Sequence, residues 1–147
     1  MDARERFRAT RAAIPRLNDV KLLLMNDCED WKPPQVKAKT DKSDPTANQA
    51  IYNVDERAEK IEALRREESE LEDLIGTSLA IIEAVRNGFG EEYANLLDAR
   101  YIDNSSWKDI QNDYGIARRT GYNMLSVAFD WIDSVGISRL LKGETEV

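Results

Sequence analysis

The chain has no histidine and a single cysteine, Cys28, so it lacks the commonest general base and metal ligand and cannot close an internal disulfide. Carboxylates are plentiful, yet no glycine-rich phosphate loop, nucleophile–base pair or metal-ligand spacing accompanies them. No catalytic residue, metal site or cofactor is therefore expected, and the reading is of a protein that is not an enzyme. Long apolar runs are missing too. Leu22–Met25 is as long as they get, far short of the ~20 residues a membrane span needs. The opening MDARERFR is charged, unlike a secretory leader. The expectation is a cytoplasmic protein with neither span nor signal peptide.

What is present is charge mixed with apolar side chains. Hydrophobic residues make up 41% of the 147 and charged residues 33%, too apolar for a disordered chain and too charged for a plain compact globule. A long, solvent-exposed helical element reconciles the two. The net charge is −7, and only residues 1–45 are net basic (+2); residues 46–90 carry −5 and residues 91–147 carry −4. Contact with nucleic acid would have to use a narrow local patch.

Four segments are expected. Residues 1–27 read as a helical arm, with Phe7, Ile14, Leu17, Val20 and Leu24 at helical spacing. Pro15 predicts a kink, or two short helices meeting there. Arg4, Arg8 and Arg11 align at spacings of four and three, which suits phosphates, but Asp2 and Glu5 dilute them and a solvated face is the favoured reading. Residues 28–43 form a linker marked by Pro33, Pro34, Lys37, Lys39 and Lys42, with Trp31 as its one aromatic. Asp44 as N-cap and Pro45 at the first helical position then open a long helix over 44–87. Its heptad seam runs through Val54, Ile61, Ile75 and Ile82, and through Leu64, Leu71 and Val85, with Glu68 and Ser78 as polar interruptions. So narrow a seam predicts a coiled coil with the N-terminal arm or with a second copy, the latter giving a homodimer. Gly76 is a place where this helix could split.

Residues 88–147 carry the functional pattern. After the Asn87–Gly90 loop come three helical stretches. The first, Glu91 to Ile102, ends at Asn104, which tolerates a left-handed cap. The second opens on a capping box, Ser106 to Asp109, and closes at Gly115. The third runs from near Ala117 to Val135, with Gly136 as its stop. Two helices joined through a turn glycine and a following buried isoleucine, as in SWKDIQNDYGIARRTGYNML, are the sequence form of a helix-turn-helix. The fold class is thus all-α: N-terminal helices, a coiled-coil-like helix and a C-terminal helix-turn-helix bundle.

The strings SDPTANQAI, LLDARYIDNSSWKDI and YGIARRTGYNMLSVAFDWI resemble the phage-encoded RinA/ArpU-like late transcription regulators, whose C-terminal part is similar to region 4 of sigma factors. The likeness covers roughly residues 43–135. It implies transcriptional control of phage or prophage genes through double-stranded promoter DNA, with RNA polymerase as a further partner. Gly121 stands where the family presents a branched apolar side chain, a gap for Trp131 or Tyr122 to fill. Gln111 and Asn123 depart from the pattern as well.

In such a motif the third helix enters the major groove while the second crosses the backbone. Arg118, Arg119, Tyr122, Asn123 and Ser126 are expected on the outward face of the third helix, where arginine and asparagine pair bidentately with guanine and adenine. Lys108 and Arg100 suit phosphates, which fix register without reading sequence. Two rival functions share these features. One is a DNA-packaging adaptor, a small terminase subunit; the other is an RNA-polymerase-binding module that does not touch DNA.

Overall fold

The computed structural model describes residues 2–28 and 45–145, with side chains over 2–26 and 55–145. The linker expected from residue 28 lies, beyond Cys28, outside the described residues, together with Trp31 and the Asp44 cap. Among the described residues there are six α-helices and no strand: α1 (Ala3–Cys28), α2 (Pro45–Gly88), α3 (Glu91–Leu97), α4 (Trp107–Tyr114), α5 (Arg118–Val135) and α6 (Ile137–Leu141). The all-α expectation holds. No described helix is long and apolar enough to cross a membrane.

Two compact units divide the chain, and they cut across the four expected segments. One comprises residues 1–16 and 71–147, the other residues 17–70. In the second unit Val20 and Leu24 of α1 and Ile61 and Leu64 of α2 are buried, at helical spacings of four and three.

The first unit holds the site. Its core gathers Ala3 and Phe7 of α1, Ile81, Ile82 and Val85 of α2, Leu96 and Leu97 of α3, Ile110 of α4, and Leu125, Phe129 and Ile132 of α5. The N-terminal arm is therefore part of the helix-turn-helix core. The rings of Phe7, Tyr101 and Phe129 form a triangle, the Phe7 centroid 5.6 Å from each of the others and those two 5.8 Å apart. Such aromatic contacts add to the burial itself. The start of α1 is also tied down, since the Glu5 N–H donates to Asp2 and the Ala3 N–H donates to Asp133 of α5 at 2.9 Å, satisfying donors that a helix end leaves open.

Three expectations about the helices are corrected. Of the two expectations at Pro15, the pair of short helices is not found, since α1 is continuous from Ala3 to Cys28; the proline ring is exposed, and buried residues in helical register lie on both sides of it. Gly76 does not split α2, which runs from Pro45 to Gly88. The stretch Glu91–Ile102 is not one regular helix, because α3 ends at Leu97 and passes into a π-helical turn, Asp98–Ile102. Such a turn carries one extra residue and re-aims the side chains after it.

The polar interruption at Ser78 has a partner. Its hydroxyl lies 2.6 Å from that of Thr10 in the buried contact between α1 and α2. The Thr10 hydroxyl donates to the Arg6 carbonyl, so Ser78 supplies the proton between the two. Seam residues Ile82 and Val85 are buried by their own chain as well. Over this stretch the partner of the long helix is the N-terminal arm.

Gly76 is exposed, and a Cβ there would meet nothing within 4 Å. Gly76→Ala should therefore raise the unfolding free energy by about 1 kcal/mol, the usual difference between the two residues inside a helix. A denaturant titration that finds no gain would mean that α2 is not helical through this point.

Candidate nucleic-acid interface

The turn that makes the motif is built locally. Asn104 takes a left-handed backbone (φ 55°) and ends the π-helical turn. Ser106 caps α4, its hydroxyl accepting the Asp109 N–H at 3.2 Å, as the capping box predicts. At the far end Gly115 (φ 69°) turns the chain in the region that glycine tolerates best. Ile116 packs on the core beneath it, and α5 begins at Arg118. Gly136 stops α5. The short α6 beyond it, with Leu140 buried, is too brief to leave a periodic signal in the sequence.

Trp107 is the residue that seats α5. A Cβ on Gly121 would come within 2.2 Å of the Trp107 ring, so the indole fills the place of the missing side chain. The expected substitutes do other things: Trp131 packs on Phe89 with centroids 5.0 Å apart, and Tyr122 is 47% exposed. Gln111 is exposed as well. Trp107 in turn lies 4.8 Å from the Tyr122 ring, Arg100 sits over the indole at 4.9 Å, and Arg118 sits over Tyr122 at 5.6 Å. The four side chains form a continuous stack of cation, ring, ring and cation.

The Tyr122 phenol is held below the usual tyrosine range, first by the Trp107 indole N–H and then by Arg118. The first of these contacts is loose, since the buried indole nitrogen has no partner at normal hydrogen-bond geometry.

The residues expected at the interface fall into two groups. Arg118, Arg119, Tyr122, Asn123 and Lys108 are exposed. At 100° per residue Arg119 and Asn123 share the face of α5 opposite its core residues Gly121, Leu125, Ala128 and Ile132. Asp130 follows on that face two turns later, so the N-terminal half of α5 is the part suited to DNA. The other group is already engaged. Ser126 is half-buried and accepts from Arg4 at 3.3 Å, and Arg100, re-aimed by the π-helical turn, is half-buried and donates to the Ser105 carbonyl at 3.1 Å. Arg100 thus pins the turn before α4.

The structure adds three residues that sequence reasoning set aside. Arg4, Arg8 and Arg11 of α1 lie beside α5 and the π-helical turn, Arg4 also over the Phe129 ring at 5.6 Å and Arg11 donating to Asn104 at 3.2 Å. Their signal was the spacing of four and three; what the sequence could not supply was the neighbour more than 90 residues away. Positive charge is concentrated here. Burial lowers the pKa of Arg100, and the charges of Arg11 and Arg118 lower it further. Burial raises that of Tyr101, against the pull of Arg100, Arg8, Arg11 and Arg4. Among the described residues none of Arg4, Arg8, Arg11, Arg100, Arg118, Arg119 and Lys108 is in an ion pair. Most of the molecule is acidic, yet this face has cations that no carboxylate neutralises.

No family model, curated protein or solved structure matches the chain. The geometry of this face and the motifs on it are the basis for assigning a role. Among the described residues no group of three or more Asp, Glu, His or Cys is placed to hold a metal ion.

Proposed function

We propose that the chain is a double-stranded-DNA-binding regulator of phage or prophage transcription, with α5 in the major groove and α4 across the backbone. The observation that carries this reading is the un-neutralised cationic face around the N-terminal half of α5 in a chain of net charge −7. Packing unpaired guanidiniums side by side is unfavourable unless an anion meets them. Arg119 and Asn123 then read base edges, Arg118 and Lys108 take phosphates, and Tyr122 with Trp107 fixes the angle of α5. On this reading the protein binds rather than catalyses, and it works in the cytoplasm. The motif resemblance to the RinA/ArpU-like regulators and to sigma region 4 points the same way, and it brings RNA polymerase in as a second partner.

The test is binding of the purified chain to duplex DNA from upstream of its own gene cluster, over a salt series. Arg118→Ala with Arg119→Ala should weaken binding by roughly tenfold to several hundredfold, and the loss of the Arg118 phosphate contact should flatten the dependence of log K on log salt by about 0.9. Undiminished binding by the double variant would refute the assignment. A homodimer spanning two half-sites belongs to the same reading, and native mass distinguishes it from the ring of eight or more subunits that a packaging adaptor would form.

A further inference from the structure

Between α1 and α5, in the same compact unit, lies a cavity of about 250 Å³ lined by Arg4, Arg8, Tyr101, Tyr122, Leu125, Ser126 and Phe129. Its composition is selective. Leu125 and Phe129 are buried core residues that make an apolar floor, and the rest of the lining is two guanidiniums and three hydroxyls, with no carboxylate among the seven. Arg8 forms no ion pair or hydrogen bond among the described residues, and Arg4 spends one N–H on Ser126. The remaining guanidinium donors and the phenol hydroxyls therefore face a space with no internal acceptor of negative charge.

We propose that this pocket seats a phosphate ester. Two arginines supply forked donors that match phosphate oxygens, hydroxyls complete the shell, and a volume of this size takes one phosphate with part of the sugar attached to it. Tyr122 and Ser126, on the flank of α5, are part of the pocket lining. A duplex engaged by the neighbouring face of α5 would carry its backbone past that flank, and α1 would then act as the phosphate clamp of the helix-turn-helix. This source of the phosphate rests on the DNA reading above; the chemistry of the pocket does not, because a free mononucleotide or inorganic phosphate offers the same oxygens.

Arg4→Gln with Arg8→Gln, made in the full chain, keeps a polar side chain and helix propensity while removing both charges. A melt of each preparation establishes that it is folded, and Ser126→Asp, which places a carboxylate in the pocket, serves as an independent second variant. Duplex DNA is titrated over a salt series, and inorganic phosphate and deoxyadenosine monophosphate are titrated separately, following tyrosine and tryptophan fluorescence. For a backbone phosphate, the double glutamine variant loses about 0.9 from the salt slope, the contribution of one phosphate, equally on specific and unrelated duplexes, and Ser126→Asp also weakens binding. If duplex is not bound by the wild-type chain but the small phosphates are, and both variants abolish that, the pocket stands with a soluble source and the DNA reading falls. If duplex binds, Arg118→Ala with Arg119→Ala weakens it, and both pocket variants match the wild-type chain for every phosphate tested, the DNA reading stands and the pocket assignment is overturned. Binding of neither duplex nor small phosphate overturns both.

Discussion

Trp107→Ala should lower the unfolding free energy by about 3–5 kcal/mol, the range for deleting a large aromatic side chain from a packed site. One indole does three jobs here: it occupies the space that Gly121 leaves open, it carries Arg100 on one side, and it stacks with Tyr122 on the other. The diagnostic is a change of sign at position 121. In the wild-type background Gly121→Ala puts a Cβ 2.2 Å from the ring, an overpacking that typically costs about 1–3 kcal/mol. In the Trp107→Ala background the same substitution meets open space and gains the roughly 1 kcal/mol that alanine holds over glycine in a helix. A double-mutant cycle from denaturant melts should thus show strong coupling. If Gly121→Ala destabilises both backgrounds equally, the indole does not pack where the structure puts it.

What could be read in advance follows from how far each determinant reaches along the chain. Cap and turn residues act on their immediate neighbours, so Pro45, Asn104, Ser106, Gly115 and Gly136 located the helix boundaries well from sequence alone. Pro15 and Gly76 did not divide their helices, because their local cost of about 1–3 kcal/mol is small against the burial of residues on either side of them. Ser78 was legible as polar but not as paired, since its partner Thr10 is 68 positions away. Gly121 was legible as a missing side chain, but not that Trp107 fills its place. Their match is a fact of shape across two helices, and periodicity has no term for it. The arginines of α1 show the same limit from the functional side: a row of charge on a helix says nothing about which helix lies next to it. The acidic total obscured the patch further, because the arginines and the helix-turn-helix sit at opposite ends of the chain and meet only in the fold.

Phe7→Ala should be the second large effect, and it links the stability of the arm to binding. Phe7 is fully buried, and its ring joins α1 to both Tyr101 and Phe129. Removing it should cost about 3–5 kcal/mol, whereas Phe7→Leu, closer in volume, should cost well under half of that. The rest of the attachment is small: the buried Ala3 and the Ala3–Asp133, Arg4–Ser126, Thr10–Ser78 and Arg11–Asn104 hydrogen bonds, each bond worth only about 0.5–1.5 kcal/mol. Without its aromatic anchor α1 should therefore loosen from α5 before the remaining core melts, and its arginines should leave the face they now share with Arg118. At a temperature where near-ultraviolet circular dichroism shows the variant still folded, duplex binding should be weaker and its salt dependence shallower than in the wild-type chain. Amide exchange over residues 3–16 should rise in parallel. Protection of that segment at the wild-type level, with binding also unchanged, would show that α1 is held to the bundle by something other than Phe7.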